Sequence, residues 1–307
     1  MKKREGAVFE SRGDRAFGLI NAALLCIVVL IMAYPLYFTI IASISDPYEV
    51  VRGNVYLLPS GLTLEPYANV FKDARIWTGY RNSLIYTSVG TLFNLFLTIP
   101  TAYVLSKRNI PGRGLLAVFF LIPMYFSGGL IPGYLLNKSL GLLNTPYVLI
   151  LNGGISIYNM VIARVFYERS IPGELYESAR IDGADNLNIF VRIALPLSAP
   201  IIAVMALYYA VARWNSYFDA LIYISNDNYQ PLQMVLRSIL LLNQQMLAAI
   251  DTNSMTAEEI ADATRLAYMA EGMKYALIFI ASAPMLIAYP FVQKHFVKGV
   301  MIGSLKG

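Results

Sequence analysis

One charged segment in the middle of the chain has residue types and spacing that suit contact with another protein. It reads "SIPGELYESARIDGADNLNIFVRIALP", Ser170 to Pro196, and lies between two apolar runs. Pro172 suits a first helical turn, and Glu174 favours the positive end of the helix dipole. Gly183 suits a C-terminal cap. A short helix is therefore predicted over roughly Pro172 to Asp182.

A second helix is predicted to follow the glycine. Asp185 or Asn186 suits its N-cap, and the helix continues to Pro196, where an apolar run begins. Small residues keep the bend between the two helices thin, which lets another protein approach its backbone closely. These small residues are Ser178, Ala179, Gly183 and Ala184.

Polar and aromatic residues of the fifth apolar run suggest a path for a solute. Four positions spaced 4, 3 and 4 residues apart share one helix face: Tyr208, Ala212, Asn215 and Asp219. Amides and aromatic rings suit sugars, which are bound by hydrogen bonds and by ring stacking. The alternatives are an aromatic belt at the membrane boundary and asparagines that join helices. The predicted path residues are Tyr208, Trp214, Asn215, Tyr217 and Asp219, with Asn94, Asn152 and Asn159 in other runs.

The composition places these residues in a membrane protein. The 307 residues are 57% hydrophobic and only 14% charged, unlike a soluble globular domain. Each apolar run has about 20 residues or more, which is enough to cross a hydrocarbon layer as a helix. The first run is longer than the apolar region of a secretory signal, so we interpret it as a retained helix. The six runs are roughly Gly18 to Ser45, Asn82 to Ser106, Gly114 to Leu136, Pro146 to Tyr167, Leu197 to Ile224 and Met273 to Val292.

The distribution of Lys and Arg predicts the orientation. These residues are more numerous in the segments that lie inside when both termini are cytoplasmic. The net charge of +5 is explained by anionic lipid of the inner leaflet and requires no nucleic acid. Two long outer loops are interpreted either as solvated surface or as docking surface for an external partner. The predicted divisions are an N-terminal segment 1–17, a membrane domain 18–293 with inner loop 168–196 and outer loops 46–81 and 226–272, and a cytoplasmic tail 294–307.

Several chemistries are excluded by what the sequence lacks. The single Cys26 and single His295 exclude an internal disulfide and a zinc site built from clustered Cys and His. No P-loop pattern occurs, so any ATP with its Mg²⁺ is expected on another chain. A membrane enzyme is disfavoured because no convincing catalytic cluster is found. An ion-coupled secondary carrier remains an alternative, with Asp219 as its only intramembrane acid.

The inner loop resembles a motif of permease subunits of binding-protein-dependent ABC importers. Glu177, Ser178 and Ala179 are followed after three residues by Gly183, and after nine more by "IALP". This is similar to E-A-A, x3, G, x9, I-x-L-P, with Ser178 in place of the first Ala. "TAYVLSKR", "LGLLNTPYVLIL", "RWNSYFDALIYIS" and the C-terminal "YPFVQKHFVKGVMIGSLKG" resemble the maltose-type carbohydrate branch, particularly its oligosaccharide and lipoprotein-named subset.

The resemblance implies an all-α membrane fold of six transmembrane helices with a cytoplasmic coupling helix. It implies that the chain functions together with a second permease subunit, two ATPase subunits and an extracytoplasmic solute-binding protein. It also implies a location in the cytoplasmic membrane of a bacterium. It also implies that the C-terminal Lys298 to Gly307 can reach the ATPase subunits; the alternative is a frayed basic tail. The residues that the resemblance assigns to ATPase coupling are Glu177, Ser178, Ala179, Asp182, Gly183, Ile193, Leu195 and Pro196.

Overall fold

The computed structural model describes residues 11–248 and 256–304, and within these ranges the chain is helical without a strand. A π-helical turn at Phe190–Ala194 and a 3₁₀ turn at Asp227–Tyr229 interrupt the α-helices. The α-helices are α1 (Arg12–Ser43), α2 (Pro47–Val51), α3 (Glu65–Lys72), α4 (Ala74–Ser106), α5 (Arg113–Tyr125), α6 (Leu130–Ser139), α7 (Pro146–Leu151), α8 (Ile157–Arg169), α9 (Gly173–Ile181), α10 (Asn186–Ile189), α11 (Leu195–Leu197), α12 (Ala199–Trp214), α13 (Phe218–Tyr223), α14 (Leu232–Ala248) and α15 (Ala257–Ser304).

The apolar runs fold into fewer continuous helices than the sequence suggests. Among the described residues, three helices are long and apolar enough to cross a membrane unbroken, within α1, α4 and α15. The count rises to five if two bent pairs each form one span. These pairs are α5 with α6, bent by 114°, and the segment Asn186–Leu197 with α12, bent by 76°. The fourth run is divided into α7 and α8 by residues 152–156.

The fifth run also departs from the prediction of one helix through Ile224. Helix α12 ends at Trp214, and α13 begins only at Phe218. The amide of Asn215 donates to the carbonyl of Val211, and the Ser216 backbone N–H donates to Arg213, three residues back. Asn and Ser favour such local bonds over helix propagation, so the helix stops here. Asp219 therefore does not continue the helical face of Tyr208.

The described residues form two compact units. The first lies within Met1–Val70 and Met246–Phe279. Its core joins the end of α1, at Ile41 and Ala42, to Val50 and Val55. The hydroxyl of Tyr67 donates to Ser43 Oγ over 2.7 Å, which secures α3 to α1. Most of α1 exposes large apolar side chains, as a lipid-facing helix does.

The second unit lies within Phe71–Gln245 and Ile280–Gly307. Helix α4 is its central element and packs against α7, α8 and α12. Around the inner half of α4, the buried Met160, Tyr167 and Met205 form one apolar cluster with Tyr103. This unit contains the inner loop and all predicted path residues. Helix α15 continues through Ser304, and the last residues of the predicted tail, 305–307, lie outside the described residues.

Candidate functional site

The inner loop contains the predicted short helix, α9, with its caps. Pro172 is the N-cap, and Glu174 lies in the first turn. Gly183 follows with φ of +81°, a left-handed conformation that side chains with a Cβ disfavour. The backbone N–H of Ala184 donates to the carbonyl of Ala179 over 2.9 Å and completes the helix end. The prediction of a helix closed by a glycine turn is confirmed.

The returning segment begins at the predicted N-cap. Asp185 accepts a hydrogen bond from the Asn188 N–H over 2.8 Å. The segment then passes through the π-helical turn and ends at Ser198, where the chain bends into α12. Ser198 is fully buried; its hydroxyl accepts from Tyr167 over 2.9 Å and donates to the Leu195 carbonyl over 2.8 Å. The bend is therefore fixed by α8 and by the chain itself.

A groove of about 420 Å³ lies between α9 and the returning segment. It has one acidic wall at Asp182 and one basic wall at Arg192. Ala179 is buried at the groove, whereas Ser178 is exposed. The remaining predicted coupling residues, Glu177, Gly183 and Leu195, lie outside the lining. The coupling residues that line the groove are Ser178, Ala179, Asp182, Ile193 and Pro196.

Ionic contacts tie the inner helix ends together beside this loop. Arg113, at the start of α5, donates from Nε to the Leu105 carbonyl at the end of α4 over 2.8 Å. Its Nη2 also pairs with Glu168 of α8. Arg164 donates to the same carboxylate over 3.0 Å. These contacts hold the inner ends of α4, α5 and α8 together.

The predicted path residues separate into a buried and an exposed group. Trp214 is 1% exposed and donates from Nε1 to the Ala281 carbonyl over 2.9 Å. Asn94 is fully buried and Asn159 nearly so. These three side chains belong to helix packing in this conformation. The structure leaves Tyr208, Asn215 and Tyr217 exposed and Asn152 and Asp219 half-buried.

The break between α7 and α8 is held by a charged residue of α12. Arg213 of α12 donates from its two Nη atoms to the carbonyls of Leu149, Ile150 and Asn152. These are the last carbonyls of α7 and the first of the break, which have no helical partner. Arg213 Nε also donates to Asn94 Oδ1 over 3.1 Å.

Two further side chains complete this clamp. Asn94 Nδ2 donates to the carbonyls of Gly153 and Gly154, each over 2.8 Å. The hydroxyl of Tyr209 accepts from the Ser156 N–H over 3.0 Å and shares a hydrogen bond with Thr98. We name Asn94, Thr98, Tyr209 and Arg213 the break clamp. Its signal in the sequence is one i, i+4 polar pair on each of two helices, α4 and α12.

Irregular backbone at membrane depth is tolerated where it is buried in protein or lines a water-filled cavity. The break clamp binds three carbonyls and one N–H of the break, which makes the break a built feature of the bundle. Exposed Gly153 lies in this break, close to half-buried Asn152. The break is thus a place where polar backbone is held at a fixed position within the membrane-spanning unit.

Comparison with known proteins agrees with this architecture. Residues 76–302 match the family model described as "Binding-protein-dependent transport system inner membrane component". The chain is 41% identical to Protein LplC of Bacillus subtilis (strain 168), covering 97% of each chain. It is 37% identical to the polygalacturonan/rhamnogalacturonan transport system permease protein YtcP of the same organism, covering 96% of this chain and 99% of the relative.

A solved structure is also similar. It is the crystal structure of a bacterial ABC transporter involved in the import of the acidic polysaccharide alginate. The TM-score is 0.81 at 34% identity, covering 94% of this chain and 99% of that chain. The predicted importer fold is thereby confirmed, and the ion-coupled carrier finds no support. The chain belongs to the family of binding-protein-dependent transport system inner membrane components, the permease subunits of ABC importers.

Proposed function

We propose that this chain forms half of the translocation path of an ATP-driven importer for a sugar or oligosaccharide delivered by an extracytoplasmic binding protein. The observation that carries the proposal is the groove of the inner loop. Its lining includes Ser178 and Ala179 of the E-S-A positions and Ile193 and Pro196 of the I-x-L-P positions, and Ser178 and Asp182 are exposed. A rigid, capped helix with an open groove suits docking of a second protein.

The partners are a second permease subunit and two ATPase subunits. ATP and Mg²⁺ are bound by the ATPase subunits, and this chain transmits their closure without catalysing hydrolysis. Glu177, exposed beside the groove, meets the ATPase surface. Lipid and the second permease cover the exposed apolar side chains of α1 and α5. The chain lies in the cytoplasmic membrane of a bacterium with both termini inside, as its Lys and Arg distribution favours.

The cargo is an oligosaccharide, and an acidic one is the first to test. The names of relatives support a carbohydrate, since they include permeases for arabinooligosaccharides and for melibiose, raffinose and stachyose. Higher identity is found with a permease named for polygalacturonan and with the importer of the acidic polysaccharide alginate. Tyr208, Asn215 and Tyr217, which are exposed in this conformation, remain the proposed sugar contacts.

The test is co-purification followed by reconstitution. The chain is purified with its neighbouring permease and ATPase subunits, and ATP hydrolysis is measured in lipid with candidate binding proteins. Each binding protein is loaded with oligogalacturonate, alginate oligosaccharide or a neutral oligosaccharide. Hydrolysis that rises only with a loaded binding protein supports the importer and identifies its cargo. A chain that purifies alone and carries solute without ATP contradicts it.

A further inference from the structure

A lysine at the inner end of α4 contacts the coupling helix directly. Lys107 is the C-cap residue of α4, so its side chain leaves the helix where the inner loop packs. Its Nζ lies 2.9 Å from the ring centroid of Tyr176 and 4.5 Å from that of Tyr103. Tyr176 belongs to α9 and Tyr103 to α4. One ammonium group therefore bridges the coupling helix and a central transmembrane helix.

The rings around this ammonium form a continuous cluster. Tyr103 packs at 5.4 Å from Tyr167, 6.2 Å from Tyr176 and 4.8 Å from Phe190, measured between ring centroids. These four rings come from α4, α8, α9 and the π-helical turn. The Tyr176 hydroxyl is buried and makes no hydrogen bond within the described residues. The tyrosine therefore contributes its ring here, as cation–π contacts require.

The aromatic rings are the main attractive partners of the Lys107 ammonium. Within the described part of the chain, no carboxylate forms a salt bridge with it. Arg180 of α9 is a charged group whose positive charge acts on it, and Tyr167 is the titratable group that α8 contributes to the cluster. Burial, reinforced by the positive charge of Arg180, lowers the pKa of Lys107 to about 8. The ammonium is thus charged at neutral pH and loses its proton in mildly alkaline solution.

We propose that Lys107 is a positioning residue that latches α9 to the end of α4, so that a displacement of α9 is carried into the membrane. The latch rests on the proposed function, in which α9 meets the ATPase. Helix α4 then leads from Lys107 to Thr98 and Asn94 of the break clamp, about 13 Å and 20 Å along the helix. The latch and the clamp thus lie on the same helix, on either side of Pro100.

The experiment uses the complete reconstituted complex and measures sugar uptake and ATP hydrolysis together. Lys107→Met and Tyr176→Leu are expected to keep stimulated hydrolysis within twofold of wild type while uptake per ATP falls at least fivefold. Lys107→Arg keeps a cation over the rings and is expected to restore the ratio to within twofold. Tyr176→Phe, which keeps the ring and removes the unbonded hydroxyl, is the matched control and is expected to behave as wild type.

A pH series supplies a readout that a purely structural role would not move. The wild-type ratio of uptake to ATP is expected to fall as pH rises through about 8, because the ammonium loses its charge. Lys107→Arg is expected to show a flat ratio over the same range. The pH curves of wild type and Lys107→Arg still test the latch if Lys107→Met fails to assemble, because neither complex contains the Met variant.

The latch is overturned if Lys107→Met keeps a wild-type ratio, or if Lys107→Arg follows the same pH curve as wild type. Failure of the proposed function would give a different experimental result. In that case the wild-type complex shows neither stimulated hydrolysis nor uptake at any pH, which overturns both.

Discussion

Arg213 Nε lies 3.1 Å from the side-chain oxygen of Asn94, and these two residues together bind five backbone carbonyls, two in the last turn of α7 and three in the break before α8. A charged group within a membrane-spanning unit is costly unless its donors are satisfied. Here carbonyl dipoles take the place of a carboxylate. The charge of Arg213 is thereby used to hold a helix break.

Arg213→Gln is expected to destabilise the chain by about 3 kcal/mol, because buried carbonyls lose charged donors. Arg213→Lys keeps the charge without the planar fork and is expected to cost about half as much. The measurement is denaturant unfolding in detergent. Arg81→Gln, on an exposed position of α4, is the matched control and is expected to be neutral. Equal stability of all three variants would contradict the clamp.

Tyr209→Phe is expected to cost about 1–2 kcal/mol, because the Ser156 N–H loses its acceptor. Thr98→Val removes the other partner of the same hydroxyl. The double variant is expected to cost less than the sum of the two single variants, as residues of one network do. Unfolding free energies of the four proteins form the test. Strict additivity would show that the two hydroxyls act independently.

Gly183→Ala is expected to lower the free energy of unfolding by about 1–2 kcal/mol, because φ at this position is +81° and alanine disfavours that conformation. The added methyl group would meet open space, so the cost comes from backbone strain and not from a clash. Gly173→Ala is the matched control, since it also meets open space and lies at the start of α9 without a positive φ. It is expected to be neutral or slightly stabilising. Thermal unfolding of the two variants checks this. A similar loss of thermal stability in both variants would contradict the role of the positive φ at Gly183.

Gly272→Ala tests the packing of the first unit. A Cβ atom at Gly272 would lie 2.6 Å from the Pro47 ring, which has little freedom to move aside. A loss of about 1–3 kcal/mol is expected from overpacking. Gly18→Ala in α1 meets open space and is expected to have no such cost. Protease sensitivity near α2 provides the measurement, and an unchanged pattern for Gly272→Ala would contradict this packing.

Local signals allowed the inner loop to be predicted from sequence. Pro172, Gly183 and Asp185 act on backbone within a few residues, so helix limits and the turn follow from the residue types alone. The all-α membrane fold follows in the same way from the apolar runs. The latch was not predicted, because Tyr176 and Lys107 are brought together only by the packing of α9 on α4.

The path was harder to predict because membrane helices satisfy polar groups through distant neighbours. Trp214 has the sequence context of a boundary aromatic, yet its N–H bonds the Ala281 carbonyl and its ring is buried. Asn94 has an amide that suits sugar binding, but its hydrogen bonds go to Gly153 and Gly154. Only the tertiary structure shows that the fourth and fifth runs are broken.

The coupling role of α9 is tested most directly by uptake per ATP hydrolysed for Glu177→Lys in the reconstituted complex, with Glu174→Lys as the matched control. Both residues are exposed on α9, but only Glu177 belongs to the motif that resembles the coupling signature. Glu177→Lys is expected to lower uptake per ATP at least tenfold, whereas Glu174→Lys is expected to stay within twofold of wild type. Wild-type uptake per ATP for Glu177→Lys would contradict the assignment of this loop to ATPase coupling.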